Sequence, residues 1–129
     1  MTASAPDLED YALDTRKIVM YPDLNAAGRL FGGRLLSWID EAGAMAAMKI
    51  MTTRSLVTKK LGEVVFDAPA LPGDIVEIWC KSHKEGRTSL TLDCSVVVRH
   101  VATDALRQIC TCTVVYVAID EQGRPRAWR

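Results

Sequence analysis

At 129 residues, with 49% hydrophobic and 25% charged content, the chain has the size and balance of one soluble globular domain. Sixteen basic and sixteen acidic residues cancel, which removes any global field for collecting nucleic acid or an anionic membrane. No apolar run reaches the ~20 residues that span a bilayer, and the N-terminus has neither the basic start nor the apolar core of a secretory signal.

Residues 1–12 are polar and unpatterned and are expected to form a flexible arm, leaving 13–129 as a single domain. Ile18-Val19-Met20 closes a short strand over 13–20, and a loop follows from Pro22 to Leu30. Leu35, Leu36, Ile39, Ala42, Gly43, Ala46, Ala47 and Ile50 then recur at helical spacing, which predicts a helix over 33–51. Thr52-Thr53-Arg54-Ser55 breaks it.

The period then changes to two. Strands are expected at 56–66, 75–82, 90–98 and 108–119, with a Pro- and Gly-containing turn at 67–74 and a hairpin turn at 84–87. Val76, Ile78 and Cys80 share one face, with Glu77, Trp79 and Lys81 opposite; Leu90, Leu92, Cys94, Val96 and Val98 share another. The last strand alternates little and is expected to be central and covered on both faces. Residues 121–126 read as a charged tail.

The four cysteines, Cys80, Cys94, Cys110 and Cys112, sit inside apolar strand-like runs without metal spacing, so they are expected as buried free thiols in a reducing cytoplasm, with no metal site. One strand, one helix and four strands make an α+β chain, an antiparallel sheet wrapped around one long central helix. One helix leaves sheet edge and apolar surface uncovered, so self-association is expected.

Two polar residues stand out around the helix. Asn25 lies in the loop before it, and Asp40 is the carboxylate set on it beside small residues, Gly43 and Ala44. Gly32-Gly33 lets a ligand approach the helix start, where unpaired N–H groups carry partial positive charge. The ordinary alternatives are a turn residue for Asn25, a solvated carboxylate for Asp40 and close packing for the glycines.

The run Pro22-Asp-Leu-Asn25-Ala-Ala-Gly28-Arg-Leu-Phe31-Gly32-Gly33, with Asp40 seven positions after the second glycine, resembles the hot-dog-fold acyl-CoA thioesterases of the YciA and cytosolic acyl-CoA hydrolase type. The similarity continues through Val57-Thr58, Phe66-x-x-Pro69, Gly73-Asp74 and Gly86-Arg87-Thr88-Ser89, and covers roughly residues 16–126. The chain departs from that pattern at Ala27, at Gly62-Glu63 and at Lys59-Lys60.

The resemblance implies a hot-dog fold and hydrolysis of an acyl-CoA thioester to free CoA and a carboxylic acid, within fatty acid metabolism. Asp40 would act as base or nucleophile, Asn25 would position water or the thioester, and the Gly33 and Gly32 amides would hold the oxyanion. Arg87, Thr88 and Ser89, and more weakly Lys59 and Lys60, are the candidates for contacting CoA, which is substrate; no cofactor is implied. It implies a homodimer or trimer of dimers, with Asn25 and Asp40 of one site drawn from different subunits. Two other readings compete. One is a non-catalytic acyl-CoA-binding module; the other is an acyl-thioester hydratase or dehydratase, which favours a His paired with an acid near the helix, and this helix has none.

Overall fold

Helix α1 (Gly32–Met51) lies across five strands, β1 (Ala12–Ile18), β2 (Leu56–Phe66), β3 (Ile75–Glu85), β4 (Ser89–Arg99) and β5 (Leu106–Ala118), in a computed structural model that describes residues 5–129. The first four positions of the expected arm lie outside the described residues. Further along it, the Tyr11 N–H closes a turn onto the Leu8 carbonyl, and Lys81 sits 4.8 Å over the Tyr11 ring. All neighbouring strands are antiparallel, in the order β1-β3-β4-β5-β2, and α1 packs on every one of them. This is the hot-dog arrangement, and it follows from one apolar helix stripe meeting one apolar sheet face.

Leu35, Ile39, Ala42, Gly43, Ala46 and Ala47 are buried, as their spacing predicts. Trp38 and Met51 join them, whereas Ile50 is exposed and Leu36 only partly covered. The apolar stripe is therefore turned slightly from the expected one, because the large Trp38 ring is drawn under the sheet. Thr52 ends the helix in the left-handed conformation, its N–H bonded to the Met48 carbonyl.

The sheet face toward α1 carries Val76, Ile78 and Cys80 from β3, Leu90, Leu92, Cys94, Val96 and Val98 from β4, and Cys110, Cys112, Val114 and Tyr116 from β5, all buried. Strand β5 alternates after all: Thr111, Thr113 and Val115 on its other face are only half-covered, so its covering on both faces is incomplete within one chain. All four cysteines are buried and free, with Cys80 and Cys94 Sγ 3.6 Å apart. Burial, with Cys112 and Asp67 nearby, pushes the Cys110 thiol up to about 12.

The C-terminal segment is no loose tail. Ile119 bridges Pro125, and the Trp128 indole and backbone N–H donate to the Ser89 and Arg87 carbonyls, which pins the chain end on the β3–β4 turn.

The outer face of the sheet holds a charge that alternation alone does not reveal. Glu77 is 1% exposed, bonded by Arg99 at 2.7 and 3.0 Å, by Trp79 Nε1 at 3.1 Å, and paired with Arg16 at 3.1 Å. Burial raises its carboxyl pKa; the bonds from Arg99 and Trp79 and the charges of Arg99 and Arg16 outweigh that and hold it below the ordinary 4.5. A depressed folded value means stabilisation that is complete above 4.5 and lost as pH falls through the lower folded value. Glu77→Gln is expected to cost about 3 kcal/mol at neutral pH, by taking from Arg99 and Arg16 their shared buried carboxylate and leaving Arg99 only the exposed Asp104, and to flatten the acid limb of stability against pH. Denaturant midpoints measured between pH 3 and 7 check both effects.

Candidate functional site

The loop before α1 is built by Asn25. Its backbone N–H donates to the Arg29 carbonyl at 2.8 Å, and its side-chain Oδ1 accepts from the N–H groups of Ala27 and Arg29 at 2.9 and 3.1 Å. Gly28 closes the turn at φ +75°, a conformation that favours glycine. Asn25 is thus the turn residue of the ordinary reading, yet among the described residues its Nδ2 group makes no hydrogen bond and remains a free donor.

That loop delivers the chain into α1 through Phe31, whose N–H bonds the Asp23 carbonyl. Gly32 and Gly33 are the first two helical residues. The first intrahelical bond runs from the Leu35 N–H to the Phe31 carbonyl, so the amides before it have no acceptor in the helix. A Cβ on Gly32 would stand 3.3 Å from the Phe66 ring, so the glycine admits that ring at the end of β2. Asn25, Arg29, Gly32, Leu35, Phe66 and Ile109 line part of one cavity of about 420 Å³. Its lining joins apolar side chains to Asn25 and the helix start.

Asp40 is elsewhere. It lies eight residues beyond Gly32, about 12 Å along the axis, and does not line that cavity. Its half-buried carboxylate is held at one oxygen: Oδ1 accepts from Thr58 Oγ1 at 2.7 Å and from the Tyr116 hydroxyl at 3.1 Å. The same hydroxyl lies 2.9 Å from the Asp40 backbone carbonyl. Oδ2 makes no hydrogen bond among the described residues. Thr58 and Tyr116 face each other across β2 and β5, so strand register brings both donors beneath the helix. Burial first, then the charge of Asp40, pushes the Tyr116 hydroxyl far above its ordinary pKa, which keeps it a donor.

The remaining candidates gather at the Asp40 end of the sheet. Ser89 pairs with Val117, which pairs with Val57, so the Arg87–Ser89 turn lies two strands from the start of β2. The carbonyls of Arg87, Thr88 and Ser89 are taken by backbone and Trp128 donors, while the exposed Arg87 guanidinium has no partner among the described residues. Lys59 and Lys60 are exposed on β2, Lys59 at a register shift. His83 pairs with Asp93 at 3.1 Å and His100 with Thr103, and neither hydrogen-bonds the helix. Among the described residues, no group of three His, Cys, Asp or Glu side chains is placed to hold a metal, and no helix is long and apolar enough to cross a membrane.

One chain therefore keeps the two groups of candidate residues apart. Asn25 and the helix-start amides sit at the Phe66 end of β2, and Asp40 sits at the Thr58 end. Between them β2 is a free sheet edge with Val57, Leu61, Val65 and Phe66 exposed, the last at 53%.

Residues 27–105 match the model of the Thioesterase superfamily. The chain is 36% identical over 115 residues to the acyl-CoA thioester hydrolase YciA of Escherichia coli, covering 87% of this chain and 86% of that protein. A hexameric thioesterase of Yersinia pestis superposes with a TM-score of 0.85 at 33% identity, covering 93% of this chain and 97% of that one. An acyl-CoA hydrolase of Staphylococcus aureus, solved with coenzyme A as an Asn-to-Ala variant, superposes at 0.84 with 25% identity, covering 92% and 70%. It was also solved as an Asp-to-Ala variant, and the two altered positions lie fifteen apart, the separation of Asn25 and Asp40.

Proposed function

Because this chain belongs to the thioesterase superfamily, we propose that it hydrolyses acyl-coenzyme A thioesters, with Asp40 as the reacting carboxylate. The observation that carries this reading is the one-sided anchoring of Asp40: Oδ1 is held by Thr58 and Tyr116, and Oδ2 is left for substrate. Oδ2 either takes a proton from water as the water attacks the thioester carbon, or attacks that carbon itself to give an anhydride that water opens. Both routes break the C–S bond and release the CoA thiol and a carboxylic acid. The Asn25 Nδ2 group positions the water or the thioester. The Gly33 and Gly32 amides donate to the carbonyl oxygen as it gains charge.

The working site joins two subunits. A two-fold axis through the middle of β2 pairs its free edges antiparallel. That operation brings the Thr58 end of one copy, with its Asp40, toward the Phe66 end of the other, with its Asn25 and helix start. It also covers the apolar residues of the edge. A trimer of such dimers matches the hexameric state of the Yersinia pestis neighbour. The buried free thiols suit a reducing cytoplasm.

Arg87, with Thr88 and Ser89, is assigned to the CoA phosphates, and Lys59 and Lys60 supply further positive charge. Arg87→Ala is expected to raise KM for acyl-CoA about fivefold to tenfold with kcat unchanged, because a phosphate contact holds ground state and transition state alike. The same variant should treat an acyl-pantetheine thioester, which lacks the nucleotide, as the parent protein does.

Free thiol measured with a chromogenic disulfide across acetyl-, butyryl-, octanoyl- and palmitoyl-CoA tests the reaction. Catalytic release of thiol with an equal amount of acid is the expected result. Tight CoA binding without release would turn the protein into a binding module and overturn the assignment.

A further inference from the structure

Gly43 follows Asp40 by three residues and lies one turn along the buried side of α1, directly over Tyr116 of β5. A Cβ at position 43 would fall 2.4 Å from the tyrosine hydroxyl and 3.2 Å from two ring carbons. Only a residue without a side chain lets that ring rise against the helix. The hydroxyl that enters through this opening reaches two acceptors on a single residue, the Asp40 carbonyl at 2.9 Å and Asp40 Oδ1 at 3.1 Å. Tyr116 is completely buried, so its ring cannot follow the substrate or the solvent.

We infer that Tyr116, admitted by Gly43, is a positioning residue that locks the Asp40 side chain to its own backbone, so that Oδ2 alone is presented to the thioester. An aspartate on a helix has several staggered rotamers open to it, and only one aims a given oxygen at a bound carbonyl. The single hydroxyl proton, shared in a three-centre bond between the main-chain and side-chain oxygens of the same residue, selects one of them. Thr58, on the edge strand, also donates to Oδ1, at 2.7 Å, but makes no hydrogen bond to the Asp40 backbone. The lock therefore belongs to the Tyr116–Gly43 pair. Misplacement of a reacting group by about 1 Å is enough to lose ~100-fold in rate.

This inference rests on the hydrolase reading, and the experiment separates the two. Steady-state constants are measured with the best acyl-CoA for the parent protein, Tyr116→Phe, Gly43→Ala and the double variant. Thermal midpoints and oligomer size are recorded alongside, and assays are run well below the lowest midpoint. Tyr116→Phe should lower kcat about thirtyfold with KM within about twofold, since it removes one oxygen and leaves the substrate surface unchanged. Gly43→Ala should lower kcat in the same way, although the tyrosine is still present. The double variant should lose no more than the worse single one, because the alanine acts through the hydroxyl it displaces. Independent packing damage would instead multiply the two losses and overturn the inference. So would a parent-like kcat for Tyr116→Phe, or a rise in KM alone, while the parent protein still hydrolyses acyl-CoA. A parent protein that releases no thiol overturns the hydrolase reading beneath it.

Discussion

Asp40→Asn is expected to lower acyl-CoA turnover by about a thousandfold, which is roughly 4 kcal/mol of lost transition-state stabilisation, while the protein folds and assembles as before. The substitution is nearly isosteric, and its amide oxygen can still accept from Thr58 Oγ1 and the Tyr116 hydroxyl, the two bonds that hold Oδ1. What changes is the free position: an amide nitrogen replaces the oxygen that would take a proton or form an anhydride. Glu41 cannot stand in, because the next residue on a helix points about 100° away and Glu41 is exposed. Thiol release at saturating acyl-CoA, read beside a thermal melt, checks the result. Near-parent turnover in Asp40→Asn would remove this carboxylate from the chemistry and with it the assignment of the site. After a single turnover in ¹⁸O-water, label in the Asp40 carboxylate marks the nucleophilic route with water opening the anhydride at the aspartyl carbon, whereas the general-base route puts the label in the product acid alone.

The elements were legible because each has a strong local signature. The three-and-four spacing from Leu35 to Ala47 marks α1, and alternation from Leu90 to Val98 marks β4, so helix, strands and their packing layer follow from period alone. Strand ends were less so: β3 runs on to Glu85 and β5 begins at Leu106, because pairing with β4 holds polar residues that look like turn on their own. Spacing alone does not mark Trp38 as a core residue, because it stands beside the stripe that includes Leu36, and its size decides the matter.

The candidate site was legible only where a motif spelled it. Asn25, Gly32, Gly33 and Asp40 share one short run of sequence. Thr58 and Tyr116 do not: a threonine and a tyrosine in strands read as ordinary strand formers, and only the β2–β5 register sets them opposite each other under the helix. The one local sign was Gly43, a glycine inside an otherwise good helix, three residues after the carboxylate; such a residue has a packing reason, and here the reason is the tyrosine hydroxyl. Glu77 gave no sign at all, since its partners Arg16 and Arg99 come from β1 and β4.

The separation of Asn25 from Asp40 within one chain leads to the most decisive expected result. Asn25→Ala and Asp40→Asn should each be nearly inactive alone, yet a one-to-one mixture, unfolded and refolded together, should recover about one quarter of parent activity. The arithmetic follows from the symmetry: half of the dimers formed are mixed, and each mixed dimer holds one site with both native residues and one with neither. Grouping three dimers into a hexamer leaves that fraction unchanged. The geometry demands this outcome if β2 pairs with its copy, because Asn25 lines the cavity at the Phe66 end while Asp40 is held at the Thr58 end. Recovery no greater than the sum of the separate variants would place both residues of a site in one chain. A control in which the two proteins are refolded apart and then combined should stay inactive unless subunits exchange, and the slow appearance of activity would then report the exchange rate. Asn25→Ala also removes the Oδ1 acceptor that closes the turn onto Ala27 and Arg29, so its loop should loosen by about 1 kcal/mol. The mixed dimer confines this loosened loop to its defective site, so its one working site has an intact Asn25 loop from one chain and an intact Asp40 from the other.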